Sequence, residues 1–336
     1  MSDQPFAFFR AEVVRTTRLS TSLLRVTLGG AGLAGFASGG RDQSFSLFLP
    51  HPGQSEPVVP VEEGEGWFWA WRALPEEERA VMRSYTVRAA RPELLEVDVD
   101  FVLHGDTGPA SAWAGRAAPG DRVLLLGPAV EDNTSVGFRP PAGTDLVLLA
   151  ADETALPAAA AILEWLPAGT RVSAYLEVPT EDDRLDLTTA AEAEIHWLVR
   201  DGARPGLILD ALRSAALPTR AIGTTATAGI TGAATTSGTP AATGASDAPY
   251  AWVAGEAAAV RSIRRHLVGE RGFDRKAVEF TGYWRLGSSE EQLRAEAITE
   301  ARAAAEAAAA AQDPAGIAGT GATDTANPDA AAGTDA

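Results

Sequence analysis

The side chains with the most chemistry to offer lie in a few short stretches. RSYTVR, residues 83–88, reads as a strand. Alternation puts Tyr85 and Val87 on one face and Ser84, Thr86 and Arg88 on the other. A strand of this kind can present an aromatic plane, a hydroxyl for a ring nitrogen and guanidinium groups for phosphate. DFVLHGDTGPASAWA, residues 100–114, ends a strand at His104, runs through a Gly-rich turn and opens a short helix near Ala110, with Ser111 in its first turn. Free N–H groups at a helix start bind phosphate, and Gly108 lets a ligand approach the backbone closely. LAADETALPAAAAILEWL, residues 149–166, reads as a strand, an acidic turn of Asp152, Glu153 and Thr154, and a helix starting near Pro157. Its position is where a dinucleotide phosphate would sit, although GxGxxG is missing. WVAGEAAAVRSIRRHLVGERG (252–272) and EFTGYWRLG (279–287) add Gly255, Glu256, Tyr283 and Trp284.

Composition removes whole classes of chemistry. The 336 residues include no cysteine, so disulfides, thiolate metal sites and Cys nucleophiles are excluded, and redox chemistry must come from a bound cofactor or the substrate. The four histidines, His51, His104, His196 and His266, show no hydrolase or metal motif, and His266 beside Arg264 and Arg265 reads as a solvated helix face. With 28 Lys+Arg against 45 Asp+Glu the net charge is −17, which argues against a nucleic-acid partner. Nine of those acids and only two arginines fall after residue 287, so much of the acidity decorates the end of the chain. The start, MSDQPFAFFRAEVVR, lacks the pattern of a signal peptide, and no apolar run is long enough to span a bilayer. A soluble cytoplasmic protein, monomeric and without a membrane partner, is expected.

The elements that must position these residues divide by pattern. From Phe8 to about Pro128, six strand-like segments punctuated by Gly, Pro and Asp predict an antiparallel six-stranded β-barrel in a domain over residues 1–140. A loop and short helix over 64–82 carry Trp67, Trp69 and Trp71. Over residues 141–287, apolar runs of strand length alternate with helices, which predicts a parallel α/β domain. It is interrupted at 221–249 by an Ala/Gly/Thr/Ser insert with nothing to offset ordering entropy. Ser-capped, Ala-rich residues 288–312 predict a C-terminal helix, and 313–336 a disordered tail.

RSYTVR resembles the flavin-binding strand of the ferredoxin-reductase superfamily, with its Arg-x-Tyr-Ser/Thr pattern. RSYTVR, VDFVLHG, GPASAWA, PGDRVLLLGP, DETALPA, W-x-AGE and GYWRxG, in that order, resemble one branch of it, the siderophore-interacting proteins. That resemblance implies FAD held by Arg83 at the pyrophosphate, Tyr85 on the isoalloxazine and Thr86 near N5, with Ser84, His104, Gly108, Pro109, Ala110 and Ser111 completing the site. It implies NADH or NADPH at Asp152, Glu153, Thr154, Gly255 and Glu256, with Tyr283 and Trp284 at the flavin face of the cleft; Glu256 is the catalytic candidate. Electrons would pass from the nicotinamide through FAD to Fe(III) in a siderophore. Fe(III) accepts one electron where hydride carries two, so a flavin is the required converter. Alternatives are a ferredoxin-driven siderophore reductase, to which the helix over 288–312 points, a general flavin reductase, and a non-enzymatic carrier of ferric chelates.

Two departures bear on specificity. Family members often carry a Lys in an HxKL pattern on the strand where this chain has Phe45, Ser46 and Leu47, so the chelate is expected to be less anionic, or its charge to be met by Arg72, Arg88 or Arg116. After RVSAYLEV comes PTEDDRLDL, where Glu177, Glu181, Asp182 and Asp183 surround Arg184; carboxylates suit a free ribose hydroxyl and predict NADH over NADPH.

Overall fold

The computed structural model describes residues 4–103, 108–217, 249–296, 298–300 and 303. His104, almost all of the 221–249 insert, about half of the expected 288–312 helix and the whole 313–336 tail lie outside the described residues.

Seven strands form the first sheet: β1 (Phe6–Arg18), β2 (Leu23–Gly29), β3 (Ser44–Leu49), β4 (Val81–Thr86), β5 (Ala89–Arg91), β6 (Glu96–Val102) and β7 (Arg122–Pro128). They are antiparallel neighbours in the order β4-β3-β7-β1-β2-β6-β5. The expected count of six is therefore corrected to seven, because the segment RSYTVRAARP changes partners midway. The Val87 N–H donates to Gln43 O beside β3 at 2.8 Å, and the next N–H, that of Arg88, donates to Asp98 O on β6 at 2.9 Å. One continuous segment thus runs from one edge of the sheet to the other, which curls the sheet. Phe9, Val26, Leu47, Val99, Phe101 and Leu125 fill the inside. Outside, helix α1 (Trp67–Ala73) lays Trp71 on Phe48 and Met82 and leaves Trp69 63% exposed. Helix α2 (Pro109–Ala114) packs beside β4 and β6.

The second sheet is parallel throughout, built from β8 (Leu146–Ala151), β9 (Arg171–Val178), β10 (Glu192–Val199), β11 (Tyr250–Glu256) and β12 (Val278–Trp284) in the order β10-β9-β8-β11-β12. Apolar runs such as LVLLAA and YAWVAGE are the composition of strands covered on both faces. Helix α3 (Leu156–Trp165) covers one face with Leu156, Ala158, Ala159, Ile162 and Leu163, and the barrel residue Leu23 joins the same cluster. Its alanines let the backbone approach the sheet closely. Helices α4 (Leu207–Ser214) and α5 (Ala257–Arg264) cover the other face through Ile208, Leu212, Val260 and Ile263. After α5 the chain winds a wider π turn over Arg265–Glu270, which carries His266 inward. His266 is 4% exposed, against Glu270 at 2.7 Å and Arg271 at 3.2 Å, rather than on the solvated face its neighbours suggested. No helix among the described residues is long and apolar enough to cross a membrane.

The two sheets belong to one compact unit, residues 1–287. Arg88 pairs with Glu164 of α3 through contacts of 2.9 and 2.6 Å, Ser20 and Ser22 donate to Asp183, Thr21 donates to Asp182, and Trp252 donates to Asp42 at 2.9 Å. Residues 288–336 form a second unit. It opens with a capping box in which the Ser289 hydroxyl accepts from the Gln292 N–H and the Gln292 amide oxygen accepts from the Ser289 N–H, ahead of helical residues 290–296.

Candidate functional site

On the barrel side, Tyr85 lies 4.4 Å from Phe101, centroid to centroid, and Phe101 lies 5.8 Å from Trp113 of α2. That aromatic run locks the middle of β4 to the helix that begins after Gly108. Arg83 is half-buried on the same strand and donates to the Met82 carbonyl at 2.8 Å. Pro109 opens α2, and a Cβ placed on Gly108 would meet nothing closer than 4.0 Å, so the turn into the helix leaves its backbone open. The strand β4 that carries Arg83 and Tyr85 is therefore in contact with the helix that opens after Gly108.

On the α/β side, the strand order reverses between β8 and β11, the kind of point where ligands of parallel sheets bind, beyond the carboxyl ends of the strands. Asp152 sits there, directly after β8, 4% exposed. One of its carboxylate oxygens accepts from the Thr154 N–H at 3.0 Å and the Thr154 hydroxyl at 2.5 Å; the other accepts from the Glu256 N–H at 2.8 Å and Trp284 Nε1 at 2.8 Å. Burial, with help from the neighbouring Glu153 charge, pushes its carboxyl up to about 6, against the pull of those four donors. A single carboxylate thus ties the ends of β8, β11 and β12 together. Gly255 makes the approach possible: its φ is 145°, and a Cβ there would lie 2.4 Å from an Asp152 oxygen. Gly255→Ala is expected to cost about 1–3 kcal/mol for the backbone alone, with the overlap in addition. A thermal melt that leaves Tm unchanged would show that the turn yields instead.

The Tyr283 hydroxyl, next to Trp284, lies within electrostatic reach of the Thr86 hydroxyl. Burial, aided by the charge of Asp42, pushes the Tyr283 hydroxyl upward. The barrel strand carrying RSYT thus approaches the strand carrying GYWR, and two motifs nearly 200 residues apart in sequence meet at one point.

Other candidates have structural partners. Glu256 caps α5: one of its oxygens accepts from the Ala258 and Ala259 N–H groups at 2.7 and 2.8 Å, and the other from the Leu286 N–H at 3.3 Å. Glu153 turns away from Asp152 and pairs with Arg200 through contacts of 2.6 and 2.5 Å. Glu177 also meets Arg200, at 3.2 Å, and accepts from the Gly206 and Ile208 N–H groups at the start of α4. Asp182 and Asp183 hold the β1–β2 turn, and Arg184 pairs with the exposed Glu181 at 2.8 Å. Of the three arginines considered for the chelate, Arg88 is engaged by Glu164, Arg116 donates to the Ala112 carbonyl at 3.2 Å, and Arg72 ends α1; they sit on separate elements. Asp42 and Arg200 were not singled out from sequence. Their only local signal is an ionisable residue at the edge of an apolar strand.

Comparison with known proteins agrees with this arrangement. Residues 12–132 match the siderophore-interacting FAD-binding domain, and residues 144–287 match the siderophore-interacting protein model. The chain is 32% identical to ferric vibriobactin reductase ViuB of Vibrio cholerae, over 85% of this chain and 92% of that protein. It is 28% identical to an NADPH-dependent ferric-chelate reductase of Escherichia coli, over 82% and 92% respectively. The crystal structure of a siderophore utilization protein from T. fusca superposes with a TM-score of 0.64 at 34% identity, covering 85% of this chain and 95% of that one. Flavin-binding barrel and α/β domain are matched in order over most of the length, and the chain belongs to the siderophore-interacting protein family.

Proposed function

We propose that this protein is an FAD-dependent ferric-siderophore reductase that takes its electrons from a reduced nicotinamide. The overall step is NAD(P)H plus two Fe(III) chelates giving NAD(P)+, a proton and two Fe(II) chelates. Fe(II) carries less charge for hard oxygen donors than Fe(III), so reduction loosens the chelate and releases iron. FAD, when bound, supplies the conversion of one hydride into two single-electron transfers. The observation that carries the proposal is the approach of Thr86 to Tyr283, which brings the RSYT strand to the reversal point of the α/β sheet.

In this reading Arg83 and the Gly108–Ser111 turn would hold the pyrophosphate, and His104 is assigned to the same site by its motif alone. Tyr85 would offer its ring to the flavin, with Ser84 next to it in the motif, and the Thr86 hydroxyl, with Tyr283 close to it, would be a hydrogen-bonding group for the flavin. Asp152, with Thr154, holds the Gly255–Glu256 turn and Trp284 in place for the nicotinamide. Glu256 acts as a positioning residue through its cap on α5, because both of its oxygens already accept backbone N–H groups. The carboxylates behind an NADH preference are largely engaged elsewhere, Glu177 with Arg200 and Asp182 and Asp183 with the β1–β2 turn. Glu181, exposed but paired with Arg184, is the acid of that run closest to solvent, and an NADH preference would rest on it.

The test is an absorption spectrum of the purified protein, then of the same sample after anaerobic NADH or NADPH, then after a ferric siderophore. A flavin spectrum that bleaches with either nicotinamide and returns with the chelate is expected. A colourless protein would overturn the proposal in favour of a carrier, and bleaching only by reduced ferredoxin would move the donor.

A further inference from the structure

A cavity of about 880 Å³ opens on the outer face of the barrel, between the 61–67 segment and strands β1, β3, β4 and β7. Its floor is the cross-strand pair Ser46 and Ser84, directly opposite each other on β3 and β4, whose side chains leave the sheet on the same face. Phe8 and Trp67, edge to face at 5.1 Å, form an aromatic wall. Glu65 is the one ionisable side chain on the lining, and no Lys, Arg or His is among the described residues that form it. The volume suits a compact chelate. Ser84 sits between Arg83 and Tyr85 in RSYT, so this floor lies on the face of β4 opposite the Tyr85 ring, with the strand itself between a ligand here and the proposed flavin contact.

Charge selects the ligand class. Three hydroxamates, one negative charge each, neutralise Fe(III) and give an uncharged complex; three catecholates, two charges each, leave a trianion. A trianion in this cavity would face an acid and an aromatic wall, with no cation among the described lining residues to offset its lost hydration. An uncharged trihydroxamate offers oxygen acceptors to the serine hydroxyls and aliphatic spacers to Phe8 and Trp67. We propose that this cavity receives the ferric chelate and selects uncharged trihydroxamate-type complexes over anionic tris-catecholates. The proposal rests on the reductase reading above.

Gallium(III) matches iron(III) in charge and size but is not reduced, so its complexes report binding apart from electron transfer. Calorimetric titration of the FAD-loaded full chain is expected to give a Kd for a neutral Ga(III) trihydroxamate at least tenfold below that for a Ga(III) tricatecholate. Ser46→Lys, which puts an ammonium on the floor, should improve the Kd for the tricatecholate relative to that for the trihydroxamate by tenfold or more; Ser46→Trp, which fills the cavity, should abolish both. A melting curve for each variant checks that it folds. Equal or tighter tricatecholate binding, no binding of either complex, or indifference to both Ser46 variants overturns the proposal. If the Ga(III) trihydroxamate binds as expected while its iron counterpart fails to re-oxidise the reduced flavin, the reductase reading falls and the site stands. If both ferric complexes re-oxidise the flavin while gallium binding shows no preference, the selectivity falls and the reductase reading stands.

Discussion

Arg200→Met is expected to lower the stability of the 1–287 unit by about 3–5 kcal/mol at pH 7, a fall in Tm on the order of 10 °C. Arg200 is the sole cation in a buried triad. Its guanidinium meets Glu153 and Glu177, and the side chains are 9%, 3% and 1% exposed. Removing it leaves two carboxylates in a low-dielectric interior, and only Glu177 has backbone donors from Gly206 and Ile208 to fall back on. Breaking such a pair from one side costs more than the pair contributed, because the orphaned charge keeps its desolvation penalty. The loss should shrink as pH falls, since each stranded carboxylate can then take up a proton and enter the interior neutral. Adding Glu153→Gln and Glu177→Gln to Arg200→Met should recover most of the loss. Urea titrations of the three proteins check this; a single variant as stable as the wild type would show that water reaches the triad.

The triad also marks where sequence reading stops. Strand and helix order, the RSYT strand, the DET turn and the GYWR strand could all be read from the chain, because periodicity and motif are local properties. Partner choice is not local. Asp183 accepts from Ser20 across 163 positions and Arg88 pairs with Glu164 across 76, so neither is visible as pattern. For that reason Glu177, Asp182 and Asp183 read as a ribose-facing acidic run, whereas the fold uses them to anchor α4 and the β1–β2 turn. Glu256 shows the same limit. Its place at the end of a strand suits chemistry and helix capping alike, and only the distances to Ala258 and Ala259 tell which it does. The miscounted barrel strand has a related cause: RSYTVRAARP is one extended segment by composition, and its division into β4 and β5 depends on two different strands waiting at Val87 and Arg88.

Asp152→Asn is expected to reduce kcat/KM for the reduced nicotinamide by roughly ten- to a hundredfold while leaving bound flavin unchanged. The aspartate satisfies four donors with two oxygens; the asparagine has one oxygen and an NH2. Whichever way the amide turns, either the Thr154 pair or the Glu256 and Trp284 pair faces a donor instead of an acceptor. Two buried hydrogen bonds are then lost, and with them the tie that holds Gly255 and Trp284 at the sheet reversal. Stability responds in a distinct way. The native carboxyl titrates near 6, raised by burial and then by Glu153, above the value near 4 of an unfolded aspartate. Between those two pH values the native state binds the proton more tightly than the unfolded chain, so this group's contribution is full below about pH 4 and is lost as pH rises through 6. The difference amounts to about 3 kcal/mol. In Asp152→Asn that titration is gone, so the variant's stability should vary less between pH 4 and 7 than the wild type's. Denaturant unfolding of both proteins across this range measures the two slopes. Parallel curves would mean that Asp152 titrates as an exposed carboxylate and does not clamp the turn.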